Sequence, residues 1–337
     1  MKNQQHTTVS RRSFLKGAGL GLGALATSTP TFAWQNTIDV HQGVVATATL
    51  KNAGLQEQAH MQDQYIALAD TLDLPIRTGH QVLIVLGVVS DKPFPYSVDS
   101  KLLHASLKHL LAQGVKAQQI TIAYRSEHDL QPTSSLMVSA SKALGKAFKP
   151  EHFVNTLGNT HWETLTLPQG LPALRVLHSA KRADHIVYLG QLTDQHGQPV
   201  IPEQAIAQTL LAADGLAQYA GQLDDVTKIS VLNRAVFAKV RLVANNATRF
   251  VATTDTAQCE EKCVHPGILN ISNDMTSQAI FARHYLSALH DKTQVTARTA
   301  QSLVWMQQGS SRDPLTIRLV ESALSRSGVA LKKVTLG

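Results

Sequence analysis

The stretch QVLIVLGVVS, Gln81 to Ser90, decides the fold, because its apolar residues run on without the alternation of a strand that has one face in water. A continuous apolar run of this length is expected of a strand covered on both faces, as in a parallel sheet. The next segment predicts a helix over Asp99 to Gln113. Leu103, Leu107, Leu110 and Leu111 recur at helical spacing, Ser97 and Asp99 are capping candidates, and Gly114 is the stop signal. QITIAY, Gln119 to Tyr124, supplies a second strand, so residues 81–124 read as one βαβ unit with a right-handed crossover.

The same pattern continues outward. Further strands are expected at Asp184 to Leu189, Lys239 to Ala244 and Ile268 to Ile271, with a last one over Val329 to Leu336. Helices are expected at Pro202 to Ala213, Thr276 to Leu289 and Pro314 to Ser327, and a loop at Pro168 to Pro172. Trp34 to Thr71 is not legible by periodicity. The expected class is α/β: a mostly parallel mixed sheet with helices on both faces, folded as a single domain over residues 34–337. Two lobes joined near residues 150–180 are the alternative.

The amino terminus reads as an export signal. Ser10-Arg11-Arg12-Ser13-Phe14-Leu15-Lys16 precedes the apolar run Gly17 to Thr27 and the small-residue site Thr31-Phe32-Ala33. Paired arginines before such a run specify the twin-arginine route, with cleavage near Ala33 and Trp34 as first mature residue. The expected partner during export is the Tat translocase and the expected compartment the periplasm. The run is rich in Gly and Ala and shorter than the roughly 20 residues of a membrane span, so no stable membrane anchor is expected. The chain carries 31 basic and 24 acidic residues, a net +7. Four of the basic ones lie in the leader, leaving 27 against 24, a net +3 dispersed along the mature chain. That is no basic stripe, so nucleic acid is not an expected partner. A small molecule or a protein remains.

Beyond the first βαβ unit the order of segments is familiar. The strand 82–89, the helix ending in Gly114-Val115-Lys116, Ile120-Thr121-Ile122 and Tyr124-Arg125-Ser126-Glu127 resemble the Tat-exported branch of the family known as domain of unknown function 362. Ala183 to Leu189 resembles that family's "D-x-I-I-x-L" strand and Asp194-Gln195-His196-Gly197 its "K-D-H-G" turn. Lys239 to Leu242 resembles the strand that follows, and Leu269 to Asp274 its "S-x-D-P-V-A-x-D" segment. The likeness covers residues 40–337. Thr193 replaces the family's Lys, Gln198 to Ile201 replaces its Asn-containing stretch, and Met275 stands where Pro follows the acid. Some members carry iron–sulfur cysteine clusters, a pattern this sequence lacks.

Three groups of residues are candidates for chemistry. Cys259 and Cys263, with His265, lie in Cys259-Glu260-Glu261-Lys262-Cys263-Val264-His265-Pro266-Gly267. In an oxidising compartment the two thiols suit a disulfide, which at this spacing requires a loop rather than a helix. Alternatively two thiolates and an imidazole suit a transition metal (zinc, copper or iron), or the pair acts as a reversible redox couple. Asp194 and His196 follow a strand whose carboxyl end is where open α/β folds meet ligands, and a carboxylate beside an imidazole suits proton transfer or metal ligation; an ordinary polar turn has the same composition. Asp274 is either a helix N-cap or a catalytic acid. His104 and His109, and His284 and His290, are spaced to be solvated or locally bonded rather than paired. The chain has no Gly-rich phosphate loop, no Gly-x-Ser-x-Gly and no His-Glu-x-x-His. The leading expectation is a periplasmic protein that binds a metal or redox-related ligand. A non-catalytic accessory protein with a disulfide is the rival, and a hydrolase or transferase built on Asp194, His196 and Asp274 the third reading.

Overall fold

The computed structural model describes residues 44–49, 58–158, 161–165, 173–192, 202–213, 236–253, 261–264, 267–275, 277–279, 281–282, 285 and 330–333. These all fall in one compact unit, Gln42–Gly337. The strands are β1 (Val44–Thr49), β2 (Val82–Leu86), β3 (Ile120–Tyr124), β4 (Phe153–Asn155), β5 (Trp162–Leu165), β6 (Leu174–Leu177), β7 (His185–Gln191), β8 (Val240–Ala247), β9 (Phe250–Thr253), β10 (Glu261–Val264), β11 (Ile268–Ser272) and β12 (Ala330–Lys333). The helices are α1 (Gln58–Ala69), α2 (Ser100–Ala112), α3 (Ser135–Leu144), α4 (His178–Arg182) and α5 (Pro202–Leu210).

Eight strands form one sheet in the order β12-β1-β11-β8-β7-β2-β3-β4. Five of its seven pairings are parallel, and only β11 runs against both of its neighbours. This is the α/β class read from the sequence. The apolar run at 82–86 is buried at every position, as is all of β7 beside it. Helix α2 begins at Asp99, whose carboxylate accepts from Lys101 N at 2.9 Å, and it closes at Gly114, whose φ of 84° suits a residue without a side chain. Leu103, Leu107 and Leu110 are buried on its inner face.

Helices cover both sides. One face carries α1, α2 and α3 over Val82, Ile84, Leu86, Val187, Leu242 and Ile271. The other carries α5 and the β5–β6 hairpin over Leu83, Val85, Ile186, Tyr188 and Val243. Residues of a strand alternate between these two cores, as the pleat requires.

Two elements escape the periodicity reading. β1, with the sequence VVATAT, is built from small side chains that are buried yet weakly apolar, and α1 buries Met61, Gln64, Tyr65 and Leu68 through an interior-facing stripe interrupted by polar residues. Cys263, which the disulfide alternative puts in a loop, lies in strand β10, paired antiparallel with β9 through Cys263↔Val251. His104 and His109, expected to be solvated or locally bonded, are both buried: His104 bonds, its Nδ1 3.2 Å from Ser139 O, and His109 packs edge-on to Tyr65 with ring centroids 5.9 Å apart. Burial holds both imidazoles below their ordinary pKa. The helix expected at Pro314 to Ser327 and the loop at Pro168 to Pro172 lie outside the described residues.

Candidate functional site

From β2 the chain moves outward through β3 to β4, and from β7 it moves the other way to β8. The reversal falls between β2 and β7, and ligands of open α/β sheets bind outside the carboxyl ends of the strands at such a point. To the β3 side of that point the structure has a cleft of about 410 Å³ between the loop after β2 and the loop after β3, with Arg249, just past β8, on its wall. The amino-terminal turns of α2 and α3 open onto it at Ser100 and Ser135.

Both loops are held by side chains from their own sequence. Val98 N donates to Val88 O at 2.8 Å and Ser90 Oγ to Tyr96 O at 3.1 Å, which folds 88–98 back on itself. Asn155 of β4 holds the other loop, its Nδ2 donating to Ser126 O and to Asp129 Oδ1, each at 3.0 Å, while Leu130 N donates to Tyr124 Oη at 3.0 Å. Lys92 lies 4.8 Å over the Tyr96 ring and Arg249 5.1 Å over Phe94. Neither cation forms a close ion pair among the described residues, although Arg249 acts electrostatically on Asp99 and Asp91 and Asp129 also line the cleft.

Behind Asp99, which lines the cleft, lie buried polar side chains that do not themselves reach it. Asp99, 7% exposed, accepts from Asn246 Nδ2 at 2.6 Å, and Asn246 Oδ1 accepts from Thr248 N at 2.9 Å. Burial pushes the Asp99 carboxyl above its ordinary pKa, against the opposing pull of its hydrogen bonds and of Lys101 and Arg249. Gln191, paired with Asn246 across β7 and β8, is 1% exposed, and its amide has no hydrogen-bond partner among the described residues. Sequence reasoning missed Asn246 and Gln191. The signal was there in polar residues ending otherwise apolar strands, VRLVANNA and HIVYLGQ.

Of the six candidate catalytic and metal-ligating residues, Asp194, His196, Cys259, Cys263, His265 and Asp274, Asp274 is the one whose side chain is described. It caps a helix: its Oδ2 accepts from Ser277 N at 2.7 Å and from Ser277 Oγ at 2.6 Å, and Asp274 O accepts from Gln278 N at 3.1 Å. Asp194, His196, Cys259 and His265 lie outside the described residues, and Cys263 is described in its backbone alone. Strand β7 ends at Gln191, on the carboxyl edge of the sheet. Among the described residues no three of His, Cys, Asp and Glu are grouped to hold a metal, and no helix is long and apolar enough to cross a membrane.

A second pair of titratable groups sits at the opposite edge. His185 Nε2 lies 2.8 Å from His80 Nδ1, at the amino ends of β7 and β2, where burial lowers the His185 pKa. Comparison with protein-family models and with curated proteins finds no match to this chain. The functional reading therefore rests on the geometry of the carboxyl edge.

Proposed function

We propose that this chain is a Tat-exported periplasmic binding protein that holds a small anionic ligand, a carboxylate or phosphate bearing hydroxyl groups, in the cleft over β2 and β3. The observation that carries the reading is the pairing of two cations that form no close ion pair among the described residues with the amino termini of two helices. Lys92 and Arg249 project into the cleft beside the first turns of α2 and α3. Helix amino termini present unsatisfied N–H groups and partial positive charge, and a guanidinium matches the fork of a carboxylate or phosphate. The volume suits a small ligand. Asp91, Asp99 and Asp129 also line the cleft, the last two tied to Asn246 and Asn155, while Ser100, Ser126 and Gln131 offer donors and acceptors for hydroxyl groups.

The export half is tested by replacing Arg11 and Arg12 with Lys, which is expected to leave the chain uncleaved in the cytoplasm; normal export of that variant overturns it. The binding half is tested on the mature protein by thermal unfolding in phosphate, sulfate, acetate and citrate against chloride at matched ionic strength. At least one anion is expected to stabilise the wild type specifically. Arg249→Ala is expected to weaken that binding by about 10-fold or more, as loss of a charge-assisted hydrogen-bond pair does. Equal stability in all five salts, or an unchanged affinity in the variant, contradicts the assignment.

A further inference from the structure

The connection from α1 to β2 ends in a turn, Arg77 to His80, closed by His80 N donating to Arg77 O at 3.2 Å. The turn packs on the end of α2, where the Thr78 side chain fills the space that a side chain at Gly114 would need. Just beyond it β2 and β7 start together: Gln81 N donates to Asp184 Oδ2 at 2.8 Å, and Asp184 N to Gln81 O at 2.9 Å. His80 and His185 flank this join, edge-on to each other with ring centroids 4.6 Å apart.

The hydrogen bonds fix where the protons are. Arg77 N is a backbone donor 3.2 Å from His80 Nδ1, so Nδ1 accepts and carries no proton. His185 Nε2 lies 2.8 Å from the same nitrogen and must therefore donate to it. Two donors converge on one lone pair. A proton added to His80 Nδ1 would turn both donors against an N–H and remove both bonds. The other seat for a proton is His185 Nδ1, which is buried and has no well-formed hydrogen bond among the described residues. The charges around the pair are mixed. Burial, His80 and Arg241 of β8 oppose a charged His185, Asp184 and the Pro75 backbone favour it, and the balance holds its pKa below the ordinary value. Asp184 Oδ2 is already taken by Gln81 N, Lys239, just ahead of β8, adds a positive charge that acts on Asp184, and Arg77 is the charged residue of the turn itself.

We propose that the His80–His185 pair is an acid-released latch, which holds the Arg77–His80 turn on the amino edge of the sheet while both rings are neutral and lets it go when a proton is added. The device lies at the edge away from the cleft and does not depend on what binds there. The folded His185 pKa lies below the unfolded one, so the stability the pair contributes is present above the ordinary histidine value and is lost as pH falls from there through the folded value. His104, His109 and His152 carry the same sign elsewhere in the fold, so the global unfolding curve does not isolate the latch.

The test is local: amide hydrogen exchange of the mature protein by NMR at about pH 7.5 and about pH 5, on either side of the ordinary histidine value and corrected for the intrinsic exchange rate. The Arg77 amide is expected to lose about 10-fold or more of its protection at the lower pH, as removal of two hydrogen bonds does, while Ile84 and Val187 in the central strands keep theirs. His80→Gln, whose side-chain oxygen can accept from both donors and does not titrate, is expected to keep the Arg77 protection at both pH values. Unchanged protection in the wild type, or an equal loss in His80→Gln, overturns the proposal. The imidazole nitrogen spectrum of the wild type gives a readout that needs no variant: near neutrality His80 is expected with a bare Nδ1 and His185 with a protonated Nε2, and a proton on His80 Nδ1 contradicts the latch.

Discussion

Replacing Asp99 with alanine is expected to lower the unfolding free energy by about 2–4 kcal/mol in urea denaturation at neutral pH, the sum of a lost helix cap and a buried amide left without its acceptor. The carboxylate does two things at once: Oδ1 caps α2 through Lys101 N, and Oδ2 receives Asn246 Nδ2 from the other end of the chain. Asparagine keeps the cap and loses the second bond, because its amide nitrogen would face the Asn246 nitrogen while Asn246 Oδ1 is occupied by Thr248 N. Asp99→Asn is therefore expected to cost about 1–2 kcal/mol. The pH dependence has a definite sign. The folded-state pKa lies above the unfolded one, so the folded protein binds the proton more tightly. The resulting stability is fully present below the ordinary aspartate range and is lost as pH rises through the raised folded value. Measured from pH 3 upward, the wild type is expected to lose this increment and Asp99→Asn to lack it, so the gap between them narrows toward neutrality. A gap that widens with pH contradicts the buried, proton-favouring environment.

The second large effect concerns Tyr188. Its truncation to alanine is expected to cost about 3–5 kcal/mol, the range for emptying a buried aromatic site. Its ring is also what forbids a side chain at Gly190, where a Cβ would come within 2.6 Å of the phenol. Gly190→Ala alone is expected to destabilise by about 1–3 kcal/mol through overpacking. In the Tyr188→Ala background the same change meets no ring. A double-mutant cycle should therefore show strong coupling, with the double variant no less stable than Tyr188→Ala by more than about 0.5 kcal/mol. Simple additivity would mean that some other atom fixes the glycine.

The sheet was legible where burial on both faces makes a strand uniformly apolar, as in VLIVL, and where a helix carries its own cap and stop, as in Asp99 to Gly114. It was illegible where the chain is buried through small or polar side chains, as in β1 and α1, since periodicity weighs hydrophobicity and not size. The candidate site was harder still. Asp99 was visible as a cap, but its bond to Asn246 spans 147 residues and leaves no local trace. The two asparagines of VRLVANNA and the one in ILNIS were the readable sign, since a polar residue inside a buried strand needs a partner from elsewhere in the fold. Cysteine and histidine spacing drew attention instead to residues whose side chains lie outside the described set.

The account stands on the claim that ligand meets protein at the carboxyl edge between α2 and α3. The most direct measurement is a backbone amide shift map of the mature protein titrated with the anion that stabilises it most. The largest saturable changes are expected at Ser100, Ser135 and Leu136, first-turn amides of the two helices, and at Arg249. Changes concentrated instead at His80 and His185 on the amino edge, or scattered without saturation, would contradict it.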